Sequence, residues 1–229
     1  MELRPEIEKA ALRAIDPAGM DVIGNETLYH LCRKYPDHTN LDAVGAKIWL
    51  IGRSYAAAVE RRRKYLDELS DDFYAIRVVP AIQRSGIDAL LVELRSEDAI
   101  TERNIPLILT VHKQLQDTLK EITGLEKRSF TSKYLHFHLP TLFFIYDVRA
   151  RSALTRIAKR ARRFSVVVED PSVDFQYADF FCRAFTSRRE IESAIGKTMS
   201  PREFDNMLIL LENAALRRRM AANRNSREK

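Results

Sequence analysis

Glycine and proline are scarce in this sequence, with 7 Gly and 8 Pro among 229 residues. A β-sandwich or β-barrel needs a turn signal roughly every 8–12 residues, so this scarcity argues against both architectures. The few glycines also never form the GxGxxG or GxxxxGKS/T patterns that bind phosphates through a glycine-rich loop. The composition therefore excludes the common nucleotide-binding loops and favours helices.

Cysteines and long apolar runs are lacking as well. Cys32 and Cys182 are the only cysteines, too few for a metal knuckle or a disulfide framework. No stretch approaches the roughly 18 apolar residues that a membrane span requires, and residues 1–15 alternate in charge without the apolar segment of a signal peptide. We therefore expect a cytoplasmic protein, or a nuclear one in a eukaryote, with no membrane contact.

Helical periodicity dominates what is present. Hydrophobic residues make up 45% of the chain, which is enough for a complete core. Apolar side chains recur at helical spacing after the predicted N-cap Asn40 and again from Leu107 to Leu119. We predict an all-α chain of about ten helices in a single domain over residues 1–222, with a disordered tail at 223–229. The predicted helices include 41–69, 105–122, 129–139, 148–163, 174–185 and 200–222, and residues 164–169 form a short strand or a linker.

The whole chain has a net charge of +6, and its positive charge is concentrated in one segment. Seven Lys and Arg residues and no acid lie between positions 149 and 163: Arg149, Arg151, Arg156, Lys159, Arg160, Arg162 and Arg163. A solvated helix face usually mixes signs, so this run predicts contact with a polyanion, nucleic acid before an anionic membrane surface. Two further basic clusters, at 61–64 and 217–219, lie near predicted helix ends, where the helix dipole favours cations and a structural role is the simpler explanation.

Asp147 stands at a special position in the segment 129–151. It follows the apolar run Phe143–Tyr146 and comes directly before a predicted helix. A carboxylate there accepts backbone N–H bonds and faces the positive end of the helix dipole, so it stays ionised beside apolar neighbours. A plain N-cap without any chemical role is the alternative interpretation.

Lys133 is a cation in an otherwise apolar and aromatic helix, next to Tyr134 and near Phe130 and Phe137. Such a lysine either extends its amine outward to solvent or occupies a pocket that lowers its pKa, as an amine nucleophile requires. His136 and His138 share the helix, but residues two apart on a helix point roughly 200° away from each other and cannot share one ion. We expect no metal there.

The order of these features resembles the helix-hairpin-helix DNA glycosylase superfamily. In that family a hairpin of the form Leu-Pro-Gly-Val-Gly-x-Lys-Thr-Ala holds DNA phosphates, and a later Pro-x-Asp-Thr-His-Val motif carries the catalytic Asp. Here residues 123–129 correspond to the hairpin and residues 144–149 to the Asp motif. Glu126 replaces the second hairpin glycine, the Thr-His pair is missing, and Lys133 lies about one turn beyond the usual lysine position, which Arg128 occupies more nearly. The chain is most similar to members with irregular hairpins, such as the archaeal 8-oxoguanine type.

The resemblance implies a degenerate helix-hairpin-helix in a fold of two lobes around a cleft. One lobe would comprise roughly residues 1–105 with the C-terminal helices 174–222, and the other residues 106–170. It also implies an enzyme that flips out a damaged or modified base and cleaves its N-glycosidic bond. Asp147 would stabilise the cationic sugar, and Lys133 would add an AP-lyase step through a Schiff base. DNA repair and defence against phages with modified bases are both open as biological roles.

The same resemblance suggests the remaining site residues. Candidate walls of the base pocket are Trp49, Arg53, Tyr55, Tyr134, His136, His138 and Tyr146. Trp49 could equally be a core residue, whereas Arg53 in a buried stretch would need a partner. The DNA-backbone contacts would come from Gly124, Lys127, Arg128, Arg149, Arg151, Arg156 and Lys159. We expect DNA as the partner of a monomer that needs no cofactor and no metal.

Two other classes of function stay open at this stage. One is a non-enzymatic, basic, helical nucleic-acid-binding protein, in which Asp147 is only a helix cap and Lys133 a surface charge. The other is a helical protein of a defence or toxin module, including a nuclease. Release of a base from DNA discriminates the glycosylase from both.

Overall fold

The computed structural model of the protein describes residues 3–15, 20–61, 70–158 and 171–227. Every regular element within these ranges is a helix, which confirms the predicted all-α fold. A π-helical turn at Tyr74–Val78 joins the fourth and fifth helices. The α-helices are α1 (Pro5–Ile15), α2 (Met20–Lys34), α3 (Leu41–Ser54), α4 (Ser70–Phe73), α5 (Val79–Arg84), α6 (Ile87–Leu94), α7 (Ile105–Thr123), α8 (Arg128–His138), α9 (Val148–Ile157), α10 (Phe175–Ile195) and α11 (Pro201–Arg227). None of these helices is long and apolar enough to span a lipid bilayer.

Several helix boundaries differ from the prediction. Helix α3 stops at Ser54, well before residue 69, and Ala56 then adopts a positive φ of 49° that no α-helix contains. Helix α10 continues past residue 185 to Ile195, where Gly196 ends it in the left-handed conformation. The predicted strand or linker at 164–169 lies outside the described residues.

The expected disordered tail is a second correction. Helix α11 continues to Arg227 and therefore takes in most of residues 223–229. After Pro201 the chain contains no glycine or proline, the residues that most strongly disfavour a helix interior. Nothing in the local sequence therefore ends the helix at residue 222. Helix α11 packs against α1 and α9.

Helix α8 is the central helix of the fold and packs against α2, α3 and α7. A four-residue loop joins it to α7, and Gly124 begins this loop in the left-handed conformation with a φ of 67°. Every residue from Phe130 to Phe137 is buried. A helix that is buried on all sides must satisfy each of its polar groups within the protein.

The segment after α8 runs back along this helix. Leu142 to Tyr146 are all buried, and Ser132 fixes their position because its Oγ accepts the Tyr146 N–H at 2.9 Å. The Tyr177 hydroxyl of α10 donates to the Phe144 carbonyl at 2.9 Å. These bonds set the place at which the chain enters α9, and therefore the position of Asp147.

Candidate functional site

Lys133 and Asp147 lie close together where α8 meets the start of α9. Lys133 Nζ is 3.8 Å from Asp147 Oδ2, within ion-pair distance. Lys133 is only 2% exposed, which rules out the interpretation that its amine extends to solvent. The Asp147 side chain is 25% exposed, so the pair lies at the edge of the buried core.

Asp147 is the N-cap of α9, as its position before the helix predicted. Its backbone is extended, and its Oδ1 accepts the Ala150 N–H at 2.8 Å. This bond and the positive end of the helix dipole both stabilise the charged carboxylate. The cap uses Oδ1 and leaves Oδ2 directed toward Lys133.

The Lys133 amine has weak compensation for its charge. Its Nζ donates to the Ser129 hydroxyl at 2.7 Å, a neutral acceptor one helical turn earlier. Burial lowers the pKa of Lys133, the charges of Asp147 and Asp205 oppose that effect, and Arg202 and Arg149 add to it. The buried environment of Lys133 therefore favours the neutral form of its amine more strongly than solvent does at an exposed lysine.

Asp205 is a member of the site that the sequence analysis missed. It lies on α11, is buried, and its carboxylate is 3.8 Å from the Arg202 guanidinium. None of the described residues donates a hydrogen bond to its Oδ1. Burial raises the pKa of Asp205 to about 6, and the nearby Asp147 adds to this, whereas Arg202, Lys133 and Arg149 oppose it. An acid close to the apolar residues Phe204, Met207 and Leu208 was the available signal in the sequence.

Arg202 connects Asp205 to a group of aromatic rings. Its guanidinium lies 5.2 Å from the ring centre of Phe137, 5.7 Å from that of Tyr55 and 6.0 Å from that of Tyr29. Cation–π attraction offsets part of the cost of burying this charge. Tyr55, one of the predicted pocket walls, is therefore half-buried against an arginine rather than part of an open wall on α3.

His136 belongs to a hydrogen-bond chain that begins at the same arginine. Arg202 Nε donates to the Tyr29 hydroxyl at 3.1 Å, and this hydroxyl is 2.7 Å from His136 Nε2. His136 Nδ1 is 2.8 Å from the Phe143 carbonyl, which can only accept, so the ring proton is on Nδ1 and Tyr29 donates to Nε2. Burial lowers the pKa of His136 well below its usual range. His136 is thus a neutral core residue and not the predicted pocket wall.

Tyr134 is a core residue as well, and His138 is partly buried beside it. The Tyr134 hydroxyl is 2.9 Å from His38 Nε2, and His38 Nδ1 is 2.6 Å from Asp88. His138 stacks against His38 with ring centres 5.2 Å apart. Both side chains therefore contact the segment that joins α2 and α3.

Trp49 and Arg53 lie on the protein surface instead of in a pocket. Trp49 is 54% exposed, and the Arg53 guanidinium is 5.9 Å from the centre of its indole ring. Arg53 is exposed too, so it needs no buried partner. The apolar stripe of α3 that faces the core consists of Val44, Ile48 and Ile51, and Trp49 lies on the opposite face.

Arg128 does not compete with Lys133 for the position beside Asp147. Its guanidinium binds Asp174 in a bidentate pair, with Nε–Oδ1 and Nη2–Oδ2 distances of 2.7 Å each. Asp174 is the N-cap of α10 and also accepts a hydrogen bond from Gln116 at 2.7 Å. Glu126, which replaces the second hairpin glycine, pairs with Lys120 at 2.6 Å. Ion pairs within the protein therefore hold this loop in place.

Other predicted DNA contacts are also used within the protein. Lys127 Nζ donates to the Arg61 carbonyl at 2.7 Å, and burial lowers the pKa of Lys127 to about 8. Arg156 donates to the Glu212 carboxylate. Lys159, like Arg160, Arg162 and Arg163, lies outside the described residues.

Arg149 and Arg151 are exposed at the start of α9, beside Asp147. Neither forms an ion pair with any residue that the structure describes, and Arg151 Nη1 lies 3.4 Å from the Tyr146 hydroxyl. Val148 between them is 74% exposed. The approach to Asp147 is therefore positively charged with one apolar side chain at its centre.

A cavity of about 250 Å³ lies between α9 and α10. Tyr146 and Arg151, which flank Asp147 in sequence, form part of its lining, and Phe175 and Phe180 supply aromatic surface. Phe175 is 56% exposed, whereas Phe180 is buried. On the polar side, the Arg183 and Asp179 side chains pair at 3.0 Å. Of the predicted pocket residues, Tyr146 alone lines this cavity.

A cluster of three or more His, Cys, Asp or Glu side chains that could hold a metal ion is absent from the described part of the chain. Comparison with protein-family models, curated proteins and solved structures found no match.

Proposed function

We propose that the protein is a DNA glycosylase that flips out a damaged or modified base and cleaves its N-glycosidic bond. The observation that carries the proposal is the buried Lys133 amine, 3.8 Å from an Asp147 carboxylate held at a helix N-terminus. An amine of lowered pKa beside a charged carboxylate is the pair that glycosidic-bond cleavage with Schiff-base formation requires.

The two side chains have separate parts in the reaction. Asp147 stabilises the positive charge that develops on the sugar as the bond from C1′ to the base breaks and the base leaves with the electron pair. The lone pair of the neutral Lys133 Nζ forms a bond to C1′. Nζ then loses a proton, the bond from C1′ to O4′ breaks, and O4′ takes up a proton, so that an iminium joins Nζ to C1′. Water in place of Lys133 gives a simple abasic site.

The flipped base would occupy the cavity between α9 and α10. A base taken out of a duplex is held by stacking on aromatic or apolar side chains, and Phe175 offers a half-exposed ring for this purpose. Arg149 and Arg151 would contact the phosphates on either side, since they are exposed and without acidic partners in the described structure. On this proposal the protein acts as a cytoplasmic monomer on duplex DNA.

The test is base release from duplexes that each carry one modified base, from oxidised purines to alkylated bases and bulky cytosines. Alkali cleavage scores abasic sites, and borohydride traps a covalent adduct. The wild-type protein should release a base from at least one duplex, and Asp147→Asn should reduce release by roughly 100-fold or more. Lys113→Ala, on the surface of α7, is the control and should behave as wild type.

Binding without chemistry is the outcome that would overturn this proposal. In that case no duplex loses a base at any pH, and the protein shows only a salt-dependent affinity for DNA. Base release that is unaffected by Asp147→Asn would equally contradict the assignment of the site.

A further inference from the structure

The C-terminal part of α11 is strongly basic. Residues 213–227 contain no acid and five arginines: Arg217, Arg218, Arg219, Arg224 and Arg227. The sequence favoured a structural role for 217–219, because a helix that ends near residue 222 would place these cations close to its C-terminal dipole. The structure removes that reason. Helix α11 continues to Arg227, so residues 217–219 lie about two turns before its end, and the dipole acts only within the last turn.

Three consecutive arginines of this part, Arg217, Arg218 and Arg219, form what we call the arginine trio. Each of them is exposed, and none forms a hydrogen bond or an ion pair with any residue that the structure describes. Like charges at neighbouring positions repel each other, so the trio contributes nothing favourable to the fold by itself. An unpaired guanidinium presents a planar set of N–H donors that matches a phosphate group. The trio is therefore suited to a phosphate-bearing partner.

Helix α11 runs in the same direction as α9 and then passes beyond its end. Close to the start of α11, the Phe204 ring lies 5.7 Å from the ring of Phe144 in the segment that leads into α9. Close to the end of α9, Arg156 donates to the Glu212 carboxylate of α11. These two contacts fix the relative direction of the helices. Residues 213–227 therefore extend away from the start of α9, where the candidate site lies.

The arginine trio continues a basic line that begins beside Asp147. Arg149 and Arg156 are seven residues apart, and so are Glu212 and Arg219, so each pair shares one face of its helix. Glu212 is only 6% exposed and is paired with Arg156, so its charge does not oppose an anion on this line. At about 1.5 Å per residue along the two helices, the trio lies roughly 20 Å from Asp147. That length corresponds to about six base pairs of a duplex, at about 3.4 Å each.

The apolar content of this part of α11 decides between a nucleic acid and a membrane. A helix that lies on a membrane buries an apolar face rich in Trp, Phe or Leu. Between residues 213 and 227 the large apolar side chains are Leu216 and Met220 alone, and the other uncharged residues are Ala, Asn and Ser. A duplex needs no apolar face, because its phosphates bind arginines directly. Duplex DNA is therefore the partner that this surface fits.

We propose that the part of α11 beyond Glu212 binds the phosphate backbone of duplex DNA, about six base pairs from the nucleotide at Asp147. For the position of that nucleotide, this inference rests on the proposed function. The contact is independent of sequence, since it involves phosphates and not base edges. Together with Arg149 and Arg151 at the start of α9, the arginine trio holds the duplex at two separate points.

The salt dependence of binding to an unmodified duplex tests the contact without any need to know which base is excised. In the glutamine variant, Arg217→Gln/Arg218→Gln/Arg219→Gln, the slope of log affinity against log salt should become smaller by about 2, because successive helix residues point about 100° apart and about two of the three can face one duplex. At about 0.1 M salt, the affinity should fall roughly 10- to 100-fold. Fluorescence anisotropy measures both quantities.

Two control variants accompany this measurement. The lysine variant, with Lys at the same three positions, keeps the charge and should keep a slope close to that of the wild type. Arg33→Gln/Lys34→Gln/Arg84→Gln removes three exposed cations at the ends of α2 and α5 and should leave the slope unchanged. Because the arginine trio has no internal partner and Gln has nearly the helix propensity of Arg, the thermal unfolding of the glutamine variant should match that of the wild type.

The flanks of a duplex with one tetrahydrofuran abasic analogue test the distance. With about ten base pairs on each side, the wild type should bind more tightly than the glutamine variant. When the flank is shortened to about three base pairs on one particular side, this difference should vanish, because the duplex then ends before the arginine trio. Shortening the other flank should preserve the difference, since α11 extends to one side only. A difference that persists equally with either short flank would overturn the position of the contact.

The outcomes also distinguish this inference from the proposed function. A smaller salt slope in the glutamine variant without base release from any modified duplex would overturn the glycosylase proposal and support the contact. Base release with an unchanged slope would do the reverse. An equal loss of affinity in the lysine and glutamine variants would overturn a contact based on charge. Binding to phosphatidylglycerol vesicles that the glutamine variant loses, with its DNA affinity unchanged, would overturn DNA as the partner and assign this surface to a membrane.

Discussion

Arg128 and Lys133 are two cations on one helix, five residues apart, and their surroundings differ sharply. Arg128 binds Asp174 through two hydrogen bonds of 2.7 Å, so its charge is matched by a carboxylate in the best geometry for a guanidinium. Lys133 has a hydroxyl at 2.7 Å and its nearest carboxylate only at 3.8 Å. A well-paired charge stabilises the fold, whereas a poorly paired, buried amine is available for chemistry.

The largest expected effect separates the two cations by reactivity. Lys133→Ala should abolish the borohydride-trapped adduct, because no other amine faces Asp147 in the described structure. Arg128→Gln should retain the adduct per folded molecule, since its guanidinium points to Asp174. Gel quantification of adduct against the fraction folded measures both. An adduct that persists in Lys133→Ala would contradict the assignment of Lys133 as the reactive amine.

The second prediction concerns stability, and here the larger effect is expected from substitution of Arg128 and the smaller one from substitution of Lys133. Arg128→Ala leaves the Asp174 carboxylate, which is 6% exposed, without its cation, and should lower the free energy of unfolding by roughly 3 kcal/mol. Lys133→Met removes a desolvated amine and should cost far less or add stability. Urea unfolding monitored by circular dichroism gives both values. Equal losses in the two variants would show that Lys133 is simply a structural ion-pair residue.

The third prediction uses the opposite pH dependences of Asp205 and Asp174. Asp205 has a folded-state pKa of about 6, above the roughly 3.9 of an unfolded chain, so its contribution to stability is present below pH 4 and lost as the pH rises through 6. As the pH rises from 4 to 7, the free energy of unfolding of Asp205→Asn should therefore increase relative to that of the wild type by on the order of 3 kcal/mol.

Asp174 provides the contrast for that experiment. Burial alone would raise its pKa, but hydrogen bonds from Arg128, Gln116 and the Tyr177 N–H outweigh burial and hold the pKa at about 2. Its contribution is therefore present above about pH 4 and lost as the pH falls through 2. Asp174→Asn should lose its stability deficit in that acidic window. A wild-type-like pH profile for Asp205→Asn would contradict the buried state of Asp205.

The smallest expected effect compares two exposed aromatic side chains. Phe175 lies beside the cavity next to Asp147, whereas Trp49 lies on the outer face of α3. Phe175→Ala should weaken binding of DNA with a flipped or abasic nucleotide by about 1–3 kcal/mol, the usual value of one stacked base. Trp49→Ala should leave the affinity unchanged. Fluorescence anisotropy at fixed salt measures both affinities. A larger loss of affinity for Trp49→Ala than for Phe175→Ala would indicate that the base pocket lies at α3.

Local sequence signals predicted part of this site. The apolar run before Asp147 and the helix after it define an N-cap from neighbouring residues alone, and the structure has that cap. The apolar surroundings of Lys133 left open whether its amine extends to solvent or occupies a pocket, and the structure shows that it is buried. Both features depend on residues within a few positions of each other, which is the range over which periodicity and capping rules apply.

Long-range partners could not be predicted in the same way. Asp205 lies on α11, far from Lys133 in sequence, and Arg128 is neutralised by an acid 46 positions later. Trp49 was a candidate pocket wall because of the family resemblance, but the side to which a helix residue points depends on how the helix packs in the fold. Spacing defines the faces of a helix and does not say which other helix covers them.

Mapping the trapped adduct to a single lysine tests the central claim most directly. The protein is treated with a duplex that carries a modified base or an abasic site, reduced with borohydride, digested, and analysed by mass spectrometry. Lys127 is the natural competitor, since burial lowers its pKa to about 8 and it directly precedes α8. We predict that the sugar is attached to Lys133. Attachment to Lys127, or to any residue other than Lys133, would contradict the account.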